Sequence, residues 1–218
     1  MTIPADQAVY RARRLRRKGD VPENYLFTWE LADDRTGQVT AACDLTGKAS
    51  FTTVSIVDPE GRAWRMEPNR RIMPTRWAVS DPARQVAMQF DREIARHLAN
   101  PLHKVILFLR DAEGKEAYRL VDPRTFLPDR ILGVGPDDWM LVREEKPVAM
   151  AARLPKPVDR AGGAMDGIIG RLKHWIASSD RDWGIVSAGS GHALSAPVAL
   201  GLLLILIEVT ETASGGST

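Results

Sequence analysis

The chain reads as a mainly β protein: a closed antiparallel β-barrel wrapped around a central hydrophobic C-terminal α-helix. Two observations predict this. From about residue 25 to 150 the sequence is a series of short runs rich in Val, Ile, Trp, Tyr and Phe, broken at nearly regular intervals by Asp-centred turns. Near its end, residues 193–209 are apolar on every side rather than along a stripe. A helix of that kind has to be surrounded on all sides. Its length of 218 residues and its 44% hydrophobic content suit one core and one domain.

The first 24 residues are expected to form a basic N-terminal arm or short helix, with Arg11, Arg13, Arg14, Arg16, Arg17 and Lys18 set among Val9, Tyr10 and Leu15. Residues 25–211 form the barrel domain, and 212–218 a flexible tail. The hairpins follow from turn chemistry. Residues 53–57 run into Asp58-Pro59-Glu60-Gly61 and return as 62–66; Pro59 fixes φ, Asp58 can accept from the turn amides, and Gly61 takes the left-handed conformation. The same device recurs at Asp81-Pro82-Ala83-Arg84, between 76–80 and 85–90, and at Asp111-Ala112-Glu113-Gly114, between 104–110 and 115–121. A looser copy spans 32–38, and a last turn is expected at Pro147.

On strand pattern alone a closed barrel and an ordinary sandwich fit equally well. The third segment decides. A linker at 154–163, rich in Pro and Gly, leads through a short amphipathic stretch, 165–176, to Trp183-Gly184-Ile185-Val186 and then to the apolar run. Pro197 suits the first helical turn and Ser195 the capping position. Only a sheet curled around the helix gives it an apolar environment throughout. At about 14 residues, the continuous apolar part, 194–207, is shorter than the roughly 20 that a bilayer core demands. A buried helix is therefore expected instead of a membrane span.

Composition limits function more than it reveals it. With 30 basic and 28 acidic residues the net charge is +2, so nothing draws the whole molecule to nucleic acid. A single cysteine, Cys43, allows no internal disulfide, and no apolar leader precedes the basic segment, so a cytoplasmic protein is expected. His97, His103, His174 and His192 have no metal-ligand spacing. Ser187-Ala188-Gly189-Ser190-Gly191 lacks the nucleophile-elbow pattern and reads as the loop entering the helix. Gly133-Val134-Gly135-Pro136 and Gly162-Gly163 read as turns, Cys43 as a structural strand residue, and Asp58, Asp81, Asp111 and Asp122 as turn caps. No catalytic residue is assigned, and no enzymatic activity is expected.

The order of these parts resembles the superfamily of the tubby C-terminal domain, the LURP-one-related proteins and the phospholipid scramblases. The resemblance covers about residues 25–211. It is carried by Lys173-His174-Trp175, by Ser179-Asp180-Arg181-Asp182-Trp183-Gly184-Ile185, by Leu202-Leu203-Leu204-Ile205-Leu206-Ile207-Glu208 and, less specifically, by Val57-Asp58-Pro59-Glu60-Gly61. It implies a twelve-stranded barrel around the helix, and a role in binding phosphoinositides or moving phospholipids. Scramblase-type members carry an acidic calcium-binding segment just before the helix. Here Asp180 and Asp182 match it, whereas calcium wants six or more oxygens.

The function expected from all this is non-enzymatic binding of anionic phospholipid headgroups at the inner face of a membrane, through Arg11, Arg13, Arg14, Arg16, Arg17 and Lys18. Each cation near an anionic surface is worth about 1 kcal/mol. Arg62, Arg65, Arg70, Arg71 and Arg76 form a second cationic group in and beside two hairpins. The alternatives are a protein-interaction or regulatory module with no lipid role and, ranked lower, a membrane-anchored, calcium-stimulated scramblase.

Overall fold

The computed structural model describes residues 7–16, 26–46, 52–72, 74–92, 105–122, 138–154 and 182–213. Twelve strands lie among them: β1 (Val9–Arg16), β2 (Leu26–Asp33), β3 (Val39–Thr46), β4 (Val54–Val57), β5 (Ala63–Pro68), β6 (Arg76–Ser80), β7 (Val86–Asp91), β8 (Val105–Arg110), β9 (Glu116–Val121), β10 (Trp139–Arg143), β11 (Lys146–Leu154) and β12 (Asp182–Ser187). Each pairs antiparallel with its neighbours in sequence. β1 then pairs with β12, Val9 opposite Val186 and Ala12 opposite Trp183, and the sheet closes into a barrel. Closure leaves no open edge to pair with another chain.

The expected hairpins form, each for a repeated reason. Asp33, Asp58, Asp81 and Asp111 end their strands, and the Oδ1 of each accepts from amides of the turn or of the returning strand: Thr36 at 2.9 Å, Arg62 at 2.9 Å, Gln85 at 2.8 Å and Lys115 at 2.8 Å. Gly37, Gly61 and Gly114 fill the left-handed slot, and Arg84 takes that slot in its own hairpin at φ 65°. The turn expected at Pro147 falls earlier. Glu144 and Glu145, at φ 49° and 62°, reverse the chain, and Pro147 stands in β11 opposite Val142, at the register shift, where a missing amide proton breaks no regular ladder.

The basic arm is corrected to a barrel strand. In β1, Tyr10 and Ala12 face the core and Arg11 and Arg13 face out, so residues 9–16 fill the seam between β2 and β12. The density of arginine concealed this alternation. The barrel thus begins within the first 24 residues, not at residue 25.

The apolar run becomes the barrel axis, α1 (Ala196–Ala213). Ser195 precedes it, and its carbonyl accepts from the Ala199 amide at 2.9 Å. Residues 196–207 are all buried, packed with Leu31, Ile56, Met66, Trp77, Val79, Phe90, Leu107, Leu109, Leu120, Leu141 and Ile185 from strands all around the barrel. Full burial of one such side chain stabilises by about 1.5–3 kcal/mol. Gly201 lets the helix approach the wall, because a Cβ there would stand 3.2 Å from Met66 Sδ and from Val79 Cγ2. Residues 212 and 213, expected in the tail, belong to α1; 214–218 lie outside the described residues, as do the linker beyond Leu154, the stretch 165–176 and the glycines at 133, 135, 162 and 163. Among the described residues no helix is long and apolar enough to cross a membrane.

The two ends of the barrel differ. At one lie the five hairpin turns and the loop 188–195, through which the chain enters the helix. The other carries the connection between β5 and β6, where the expected second cationic group is partly found.

Candidate functional site

The first basic segment does not present six cations on one surface. Arg11 faces outward yet is only 4% exposed: its Nε lies 2.7 Å from Asp34 Oδ1, its Nη2 3.2 Å from Asp34 Oδ2, and its Nη1 3.6 Å from Asp182 Oδ2. It is a buried pin between β1, β2 and β12. Arg13 is exposed. The Arg14 guanidinium lies 5.9 Å from the centroid of the Trp29 ring, its cross-strand neighbour. Arg16 ends β1; its side chain, Arg17 and Lys18 lie outside the described residues.

The expected acidic pair is divided similarly. Asp182 opens β12 and turns its carboxylate to Arg11, so a cation there would compete with a guanidinium already in place. Asp180 lies outside the described residues. Among those residues no three His, Cys, Asp or Glu side chains gather where a metal could be held.

The second cationic group is spread over β5, β6 and the connections beside them. Arg62 meets Asp58 and Glu60, each at 2.7 Å, Arg65 meets Glu67 at 2.7 Å, and Arg76 and Arg110 share Asp91. Arg62 lies in the turn before β5 and not in the strand, so strand alternation does not separate it from Arg65, and both are exposed. Arg70 and Arg71 are exposed on the β5–β6 connection. Next to them Ile72 is 80% exposed, far more than the other exposed large apolar residues, Leu15, Val39 and Val57. Asn69 supports this tip: its amide donates to Arg76 O at 2.8 Å, and its Oδ1 accepts from the Thr75 and Arg76 amides, each at 3.2 Å. Thr52, Thr53, Glu67, Asn69, Arg70 and Arg71 line a cavity of about 650 Å³ beside the tip. The arginines are legible in the sequence as a group; the signal for Ile72 is an apolar residue directly after two arginines in a strand connection.

The opposite end holds a polar cluster that no local sequence pattern announces. His192 stacks on Tyr10, ring centroids 3.5 Å apart and planes within 5°, and its Nε2 lies 2.8 Å from Asp33 Oδ2. Burial pushes the Asp33 carboxyl up, but hydrogen bonds from the Thr36 amide, His192, the Arg35 amide and the Thr36 hydroxyl outweigh it and hold the pKa below the usual range. Burial, then the nearby Asp33 charge, push the Tyr10 phenol up. The Tyr118 hydroxyl donates to Ala193 O at 3.0 Å, and Ser187 Oγ accepts from the Ala193 amide at 3.1 Å. Asp33 and His192 are 159 residues apart, so only the closed barrel brings them together. His97, His103 and His174 lie outside the described residues.

No family model matches the chain, and no curated protein matches it. It is similar to a solved X-ray structure of a protein from Arabidopsis thaliana, at TM-score 0.49 and 12% identity, over 94% of this chain and 93% of that one. Any reading of function therefore rests on this chain's own residues. What the structure shows is the architecture: a closed twelve-stranded antiparallel barrel with a C-terminal helix.

Proposed function

We propose that this barrel is a non-enzymatic membrane-docking module that binds anionic phospholipid headgroups, on the cytoplasmic face, through the tip of the β5–β6 connection. The observation that carries the reading is the adjacency of Arg70, Arg71 and the 80% exposed Ile72. Cations gain about 1 kcal/mol each near an anionic leaflet. An apolar residue at the same tip can leave water for the acyl boundary, which stabilises by about 1.5–3 kcal/mol if burial is complete. The two terms act together only where charge and apolar surface share one projection, as they do here. Docking of this kind needs neither a catalytic step nor calcium.

The test is co-sedimentation with phosphatidylserine-containing and pure phosphatidylcholine vesicles. The wild type should pellet with the anionic vesicles only, and less as salt rises. Reversing both charges, Arg70→Glu with Arg71→Glu, should weaken binding at least about thirtyfold, since two lost attractions are worth about 2 kcal/mol. Equal pelleting with both vesicle types, or an undiminished double variant, would remove the basis of the proposal.

A further inference from the structure

The helix-entry end carries a second concavity, remote from the β5–β6 tip and independent of any lipid role. It is an open depression of about 370 Å³ between the adjoining ends of β10 and β11, the side chain of Tyr118 on β9, and the loop entering α1; Arg143, Val148, Gly189, Gly191 and His192 are among its walls. That size lies in the range of sites for small organic molecules.

Three features make it more than a surface dent. The first is Arg143. Nearby Arg119 is held by Glu116 and Glu145. Arg143 has no carboxylate partner among the described residues; its guanidinium lies over the ring of Tyr118, 5.9 Å from the centroid. A cation–π contact of this kind leaves the guanidinium's fork of donors available to a carboxylate.

The second feature is rigidity. The loop is tied down at both ends and in the middle: the Ser187 amide donates to Ala8 O at 2.8 Å, the Ala188 amide to Val148 O at 2.8 Å and the Ala8 amide to Gly189 O at 3.0 Å, while Ala193 is held by Ser187 and Tyr118. His192 is clamped by Asp33 and Tyr10, so one face of its imidazole is covered and the rest of the ring is fixed as wall. A wall ordered in advance loses little entropy on binding.

The third feature is room. A Cβ built on Gly189 or Gly191 meets nothing within 4 Å. The backbone there faces open space, and a planar body can approach it closely.

We infer that this cavity binds a small organic carboxylate with a planar body: the carboxylate on Arg143, the body between the Tyr118 and His192 rings and the glycine backbone. The interaction is reversible and involves no covalent step.

Sodium benzoate is the probe, benzamide its neutral counterpart, and the readout is the backbone amide resonances of Gly189, Gly191, His192 and Ala193 in the full chain. Benzoate should shift them saturably, with half-saturation at about 1–10 mM, as befits a ligand this small. Benzamide should bind at least about tenfold more weakly, because it forfeits the charge-assisted pair. Arg143→Gln should cost benzoate a similar factor with no change in thermal midpoint. Gly191→Val, which fills the cavity and leaves every charge in place, should abolish the shifts. Absence of shifts in the wild type, equal binding of benzamide, or undiminished binding by either folded variant would overturn the inference.

Discussion

Asp58 condenses the logic of the turns into one side chain. It is 8% exposed and accepts from the Glu60 and Arg62 amides, from Arg62 Nε and from the Trp64 indole. Removal from water pushes its carboxyl up, but the Arg62 side chain and amide, then Trp64, pull harder, and the pKa sits at about 2 against an ordinary 3.8. A carboxyl depressed on folding adds stability that is complete above the unfolded value and is lost as pH falls through the folded one. The denaturant midpoint of the wild type should therefore drop between about pH 4 and pH 2. Asp58→Asn should have a lower midpoint at neutral pH and a shallower fall across that window, measured by urea titrations at stepped pH. Cys43 shows the opposite effect of burial: desolvation, reinforced by Asp44, pushes its thiol up to about 12, so at neutral pH it is a buried thiol, unreactive as a nucleophile.

At the scale of elements, the Asp turns were legible because their chemistry is local. Asp at the strand end and Gly three residues later fix the turn with no help from the rest of the fold, as at Asp58 and Gly61 or Asp111 and Gly114. Arg84 occupies the same slot without a glycine's freedom, at φ 65°. A left-handed conformation costs a residue with a Cβ about 1 kcal/mol or more. Arg84→Gly should therefore stabilise the protein by up to about 1 kcal/mol, and Gly114→Arg should destabilise it by about as much, both read from urea midpoints. What was not legible depended on distant partners. Glu144 and Glu145 have no turn propensity that announces two successive positive φ values. β1 looked like an arm because its charges outnumber its core residues, and only the unfilled seam between β2 and β12 gives Tyr10 and Ala12 somewhere to go. For the site, Arg70 and Arg71 are visible in sequence, yet nothing there tells them apart from Arg62, Arg65 and Arg76; the exposure of Ile72 beside them appears only on folding. His192 carries no sequence signal because Tyr10 and Asp33 reach it through tertiary structure alone.

Over the whole molecule the apolar helix organises everything else. It fills the barrel, consumes the longest hydrophobic run of the chain, and leaves two ends with different side chains. The helix-entry end is a rigid polar mouth with a small cavity, and the opposite end projects Arg70, Arg71 and Ile72. Docking by that projection would leave the buried helix inside the protein. The most direct measurement follows Ile72 itself. In an Ile72→Cys variant a thiol-reactive environment-sensitive dye should attach at the tip alone, because Cys43 is buried and its thiol is held protonated. Phosphatidylserine-containing vesicles should shift the dye's emission to the blue and raise its intensity, phosphatidylcholine vesicles should leave it unchanged, and added salt should reverse the effect. Emission that stays at its aqueous value while the labelled protein co-sediments with the anionic vesicles would contradict docking through this tip.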